Sequence, residues 1–105
     1  MSNIASYAES LIGLYTGRWD CSGFVSHCYA QCGRSCPSSS SAIWSSGIPA
    51  SGAAGDIVCW SGHVGICDGA GNVIHSYNSN HNIRKDPISK VSQWDGRTVL
   101  GYRTF

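Results

Sequence analysis

Cys21 is the residue with the clearest capacity for covalent chemistry. It sits in the run Gly17-Arg18-Trp19-Asp20-Cys21-Ser22-Gly23, a short polar turn that feeds the helical pattern Phe24, Val25, Cys28, Tyr29 and Cys32. Asp20 has the chemistry of an N-cap, so Cys21 is expected in the first turn of that helix. A thiol attacks as thiolate, and the free amides and dipole of a helix start are expected to lower its pKa. A nucleophile of this kind also needs a base. An imidazole on a strand can take the thiol proton and later deliver it to a departing amine, and His63 is the candidate. A third polar group should fix the tautomer of that ring; His75, from the next strand, is the expected one, with Asn78, Asn80 and His81 as alternatives. The amide of Cys21 would donate to the oxyanion formed on the attacked carbonyl. The chemistry is acyl transfer through a thioester.

The bland readings compete with each of these. A lone Cys is usually a buried core thiol, and a hairpin histidine can be satisfied by backbone. Asp20 and Ser22-Gly23 beside the thiol, with two strand histidines downstream, favour chemistry for Cys21 and His63. His27, in the middle of the helix, reads as a packing residue, and Trp44 and Trp60 as core or cleft wall. Trp19, adjacent to the thiol, is expected at the cleft rim.

Positioning these groups requires helices first and a sheet after them. Ile4, Tyr7, Ala8, Leu11, Ile12 and Tyr15 recur at helical spacing. The Cys21 helix follows, closed by Gly33, and the serines 38 to 41 cap a short third helix around Ala42-Ile43-Trp44. After a loop from Gly47 to Gly55 the period changes to two. Asp56 to Trp60 and His63 to Cys67 read as strands joined by the two-residue turn Ser61-Gly62. A turn at Gly69-Ala70-Gly71-Asn72 leads into a third strand, Val73 to Tyr77. Residues 78 to 95 read as polar and irregular, and Val99 to Phe105 as a last strand. His63, Gly65 and Cys67 share one face of their strand while Val64 and Ile66 share the face toward the helices. This order gives the α+β class, N-terminal helices packed on an antiparallel β-sheet.

Length and composition agree with one small domain spanning 1–105. Only 12% of residues are charged and the net charge is +1, so there is no electrostatic footprint for nucleic acid or an anionic membrane. Residues 1–10 lack the cationic and apolar segments of an export signal. Six cysteines invite a disulfide or zinc reading, but Cys28, Cys32 and Cys36 are spaced by four, unlike paired CxxC zinc ligands, and free thiols are expected. Neither a metal nor another cofactor is expected. A non-enzymatic, cysteine-stapled or zinc-binding module is the structural alternative; thiol acyl transfer to a lipid would need an apolar channel that residues 78 to 95 do not suggest.

Four ordered blocks carry a resemblance: Asp20-Cys21-Ser22-Gly23-Phe24-Val25, Gly55-Asp56-Ile57-Val58, Gly62-His63-Val64-Gly65-Ile66 and Val73-Ile74-His75-Ser76. Together they resemble the NlpC/P60 family of cell-wall cysteine peptidases, with similarity to the related CHAP and phage amidase groups. The resemblance implies a minimal papain-like fold and hydrolysis of an amide in the peptidoglycan stem peptide. Carried over position by position, it makes Cys21 the nucleophile, His63 the base and His75 the orienting residue. It places Tyr15 along the cleft near the oxyanion site, and Asp20 and Ser22 where some members hold the free amine of the stem peptide. Gly62 and Trp19 complete the substrate-binding set. The bond implied is that of a γ-D-glutamyl-L-diamino acid endopeptidase, with N-acetylmuramoyl-L-alanine amidase of the phage lysin type as the alternative. Action on the bacterial cell wall as a monomer is expected, outside the cell or in the periplasm. Delivery would then come from a phage, an effector system or a longer secreted protein.

Overall fold

The structure is a computed structural model that describes residues 3–14, 19–77 and 82–105. Among the described residues three helices come first: α1 (Asn3–Ser10), α2 (Cys21–Gln31) and α3 (Ser40–Ser46). Strands β1 (Ile48–Ala50), β2 (Ile57–Trp60), β3 (His63–Cys67), β4 (Asn72–His75) and β5 (Arg84–Pro87) follow, then α4 (Ile88–Asp95) and β6 (Gly101–Thr104). The six strands form one antiparallel sheet in the order β1-β6-β2-β3-β4-β5. The α+β class and the antiparallel sheet behind N-terminal helices are therefore as expected.

Local chemistry sets the element ends. Asp20 is the N-cap of α2: its carboxylate accepts from the Gly23 amide at 2.7 Å and its carbonyl from the Phe24 amide at 3.0 Å. Ser39 caps α3 in the same way. The β2–β3 hairpin turns through Ser61-Gly62, where Gly62 takes φ +81°, a conformation open to glycine and strained for other residues.

Each face of the sheet buries a different set of side chains. α1 and α2 bring Ile4, Ala8, Phe24, Val25, Cys28 and Tyr29 onto Ile57, Val64, Ile66 and Ile74. The opposite face carries a smaller cluster of Val58, Trp60, Cys67 and Val73, covered by Val91 of α4. Trp60 Nε1 donates to Ser92 Oγ at 2.8 Å and so ties α4 to the sheet. Val64 and Ile66 face the helices as the alternation requires, which leaves His63 and Gly65 on the α4 face.

Two segments depart from the sequence reading. The loop expected from Gly47 to Gly55 contains β1, whose residues Ile48, Pro49 and Ala50 pair with Thr104, Arg103 and Tyr102 of β6. The stretch expected to be polar and irregular holds β5 and α4. Arg84-Lys85-Asp86-Pro87 has no apolar alternation, and it is a strand because β4 supplies the pairing. Helix α1 is also shorter than the periodicity suggests: it stops at Ser10, and Leu11 to Gly13 form a turn. Among the described residues no helix is long and apolar enough to cross a membrane.

Candidate active site

Cys21 is the first residue of α2, as expected, and is partly buried against β3. Its electrostatics differ from expectation. Burial raises the thiol pKa, and the backbone amides of Val64, Ser22 and Cys21 itself only partly offset that, with the Asp20 carboxylate adding to the rise. The helix start does act in the expected direction, but desolvation outweighs it. The resting sulfur is therefore a protonated thiol, and activation has to come from removal of its proton.

His63 and His75 are brought together. His63 Nε2 and His75 Nδ1 lie 2.8 Å apart, and the rings meet edge to face with centroids 5.1 Å apart. Gly65 makes this contact possible. A Cβ at that position would lie 2.3 Å from Val73 Cγ2 and 2.9 Å from His75 Cβ, so only a residue without a side chain lets β4 come close enough. Burial and the neighbouring His75 push His63 down to about 4. His75 is wholly buried and is also lowered, burial outweighing the pull of a carboxylate, that of Asp86. Both rings are neutral at pH 7, the form a base must have.

Asp86 was not singled out in the sequence. It lies on β5, two residues beyond the Arg84 that pairs with His75, and its Oδ2 is 2.9 Å from His75 Nε2. A polar strand with no alternation offered no signal that one of its carboxylates is buried.

Cys21 and His63 line one open cavity of about 370 Å³, together with Asp20, Gly62 and Tyr77. Asp95 and Arg97, from the end of α4 and the turn after it, form the far wall. These last two were also missed, since α4 itself was. Tyr77 donates to Asp95 at 2.5 Å and Arg97 to the Ser61 carbonyl, so the far wall is tied to β4 and to the β2–β3 turn. Ser22 does not share the cavity. It is 4% exposed, and its hydroxyl donates to the Ser38 carbonyl at 2.8 Å and lies 3.3 Å from Asp20 Oδ1, behind the cleft. Trp19 packs its ring on His27, with centroids 4.3 Å apart, and is likewise outside the cavity lining. Tyr15, and Asn78, Asn80 and His81 as alternative third residues, fall outside the described residues. All six cysteines are free thiols.

Residues 10–103 match the NlpC/P60 family. The chain belongs to the NlpC/P60 family. Its fold is similar to the crystal structure of the NlpC/p60 domain of the peptidoglycan hydrolase SagA, with a TM-score of 0.75 and 26% identity over 98% of this chain and 97% of that one. Two curated relatives, each named a probable endopeptidase, come from Corynebacterium glutamicum, one from strain ATCC 13032 and one from strain R. Each is 48% identical over 67 residues, which cover 58% of this chain and 32% of the relative. The chain thus matches about a third of the length of those relatives. The family is one of peptidase-class hydrolases, and the chain is built on its papain-like α+β fold.

Proposed function

We propose that this NlpC/P60 domain, residues 1–105 acting as one catalytic unit, hydrolyses an amide of the peptidoglycan stem peptide through an acyl-enzyme on Cys21. The observation that carries the reading is the shared cavity: the α2 thiol and the β3 imidazole line it, and the imidazole is held from behind by His75. His63 takes the thiol proton as the sulfur attacks the carbonyl carbon, and the amide of Cys21 donates to the oxyanion. The imidazolium then protonates the departing amine as the C–N bond breaks, leaving a thioester. His63 next takes a proton from water, hydroxide oxygen attacks the thioester carbonyl, and the carboxylic acid leaves with the thiol restored.

The bond assigned is the γ-D-glutamyl-L-diamino acid link, in keeping with the name endopeptidase carried by the relatives. Asp20 and Asp95 suit an ammonium group and Arg97 a carboxylate, and a stem peptide carries both. Tyr15 and Gly62 are assigned to the same proposed binding surface, Gly62 because it lines the cavity with Cys21 and His63. The site of action is the bacterial cell wall, and the working unit is a monomer.

Digestion of purified sacculi followed by mass spectrometry of the released fragments tests this. A new amino terminus on the diamino acid is the expected product. A free lactyl group would reassign the chain as an N-acetylmuramoyl-L-alanine amidase. Fragment release that persists in Cys21→Ala would overturn both assignments.

A further inference from the structure

The chain of contacts behind the cavity continues past His75. Asp86 is 7% exposed, and Arg84 grips it with two donors: Arg84 Nε is 2.7 Å from Oδ2, the oxygen that also meets His75, and an Arg84 terminal amine is 3.0 Å from Oδ1. His63, His75 and Asp86 come from three successive strands of the sheet and lie on its α4 face. We propose that Asp86, clamped by Arg84, is a positioning residue that fixes the tautomers of both histidines and leaves Nδ1 of His63 bare to take the Cys21 proton. The inference rests on the reading of His63 as the base.

The argument is a count of hydrogens. An ionised carboxylate only accepts, so the contact between His75 Nε2 and Asp86 requires the hydrogen on His75 Nε2. A neutral imidazole carries one N–H, so His75 Nδ1 is an acceptor. The 2.8 Å contact between His75 Nδ1 and His63 Nε2 then takes its hydrogen from His63 Nε2. His63 has spent its one N–H, and its Nδ1 is a free lone pair. Both premises have support. Burial lowers His63 and His75, which keeps them neutral, and although burial works to raise Asp86, hydrogen bonds from His75 and Arg84 overcome it and hold the carboxyl below its usual range. Without the carboxylate the chain could run in reverse: His75 Nδ1–H would donate to His63 Nε2, and the hydrogen of His63 would sit on Nδ1, where it blocks proton transfer. The other charges near the pair, Asp95 and Arg97, act on His63 through space in opposite senses and do not select a direction.

The test combines nitrogen-15 NMR of the histidine rings with the rate of Cys21 alkylation by iodoacetamide, neither of which needs a substrate. In the wild type both histidines should carry hydrogen on Nε2 and none on Nδ1. In Asp86→Asn one of the two carboxylate oxygens becomes an amide N–H donor that must face His75 or Arg84, so a population with the reversed tautomer should appear. Alkylation should slow by about 10- to 100-fold, and kcat on sacculus fragments should fall alongside while KM shifts by less than about twofold. Arg84→Gln, at a half-exposed side chain, provides the milder version should Asp86→Asn not fold: a mixed tautomer population and slower alkylation. Wild-type tautomers and wild-type alkylation in a folded variant would overturn the proposal, as would hydrogen on Nδ1 of His63 in the wild type. A wild type with the expected tautomers that leaves sacculi intact would instead count against the proposed function alone.

Discussion

The two faces of the sheet are held by different physics. The face under α1 and α2 is a continuous apolar cluster in which Phe24, Val25, Tyr29, Ile57, Val64 and Ile66 lose all contact with solvent. The α4 face pairs a small apolar cluster around Trp60 and Val91 with a line of buried polar groups, His63, His75 and Asp86. Hydrophobic burial is non-directional and tolerant, whereas a buried polar line is favourable only when every donor meets an acceptor. Stability therefore belongs mainly to the first face and chemistry to the second, with Cys21 at the seam between them.

The largest expected effect is at the seam. Cys21→Ala should lower fragment release from sacculi by roughly 10⁴-fold or more while the thermal midpoint stays close to the wild type; a shared loss of fold and activity would break the division of labour. Next comes the contrast between faces. Phe24→Ala should cost about 3–5 kcal/mol and Val91→Ala about 1.5 kcal/mol, read from urea midpoints, and equal costs would erase the distinction.

Gly65→Ala sharpens it further. The added methyl would press on Val73 and His75, at an expected cost of about 1–3 kcal/mol, and should slow Cys21 alkylation more than Val91→Ala does, because it forces apart the two rings.

On pH, His63 is held near 4 by burial, so the base form persists well below neutrality. The acid limb of kcat/KM should lie near pH 4 and not near the ordinary histidine value of about 6.5. Stability moves too: the unfolded chain binds the proton from about pH 6.5 downward and the folded one only near 4, so the thermal midpoint should fall as pH drops through that window. The smallest effect belongs to the rim. Lys85 bridges Glu9 of α1 and Asp68, and because the pair with Glu9 is exposed, Lys85→Ala should cost less than about 1 kcal/mol in a urea titration.

How far each face could be read from sequence follows from the same contrast. Periodicity reports apolar burial, so α2, β2, β3 and the inward direction of Val64 and Ile66 were legible, as were Asp20 as a cap and the Ser61-Gly62 turn. The polar face sends no periodic signal. Arg84-Lys85-Asp86-Pro87 became a strand through its partner β4, and Ile88, Val91 and Trp94 mark only two turns of helix, too few to stand out. With β5 and α4 unread, Asp86, Asp95 and Arg97 were out of sight. His75 was within reach because it ends an apolar strand of its own. The protonation of Cys21 was also beyond sequence, since the position of a residue on a helix says nothing about how deeply β3 covers it.

Because the polar line draws one side chain from each of three neighbouring strands, its assembly is a statement about alignment. Sliding β4 by a single position would turn His75 toward the helices and swing Ile74 into its place, with much of the hydrogen bonding intact. Such a molecule could be compact, soluble and spectroscopically ordinary, yet inert. Specific activity in a refolded batch thus counts correctly threaded sheets, and it would expose off-register copies that bulk measures of secondary structure pass over.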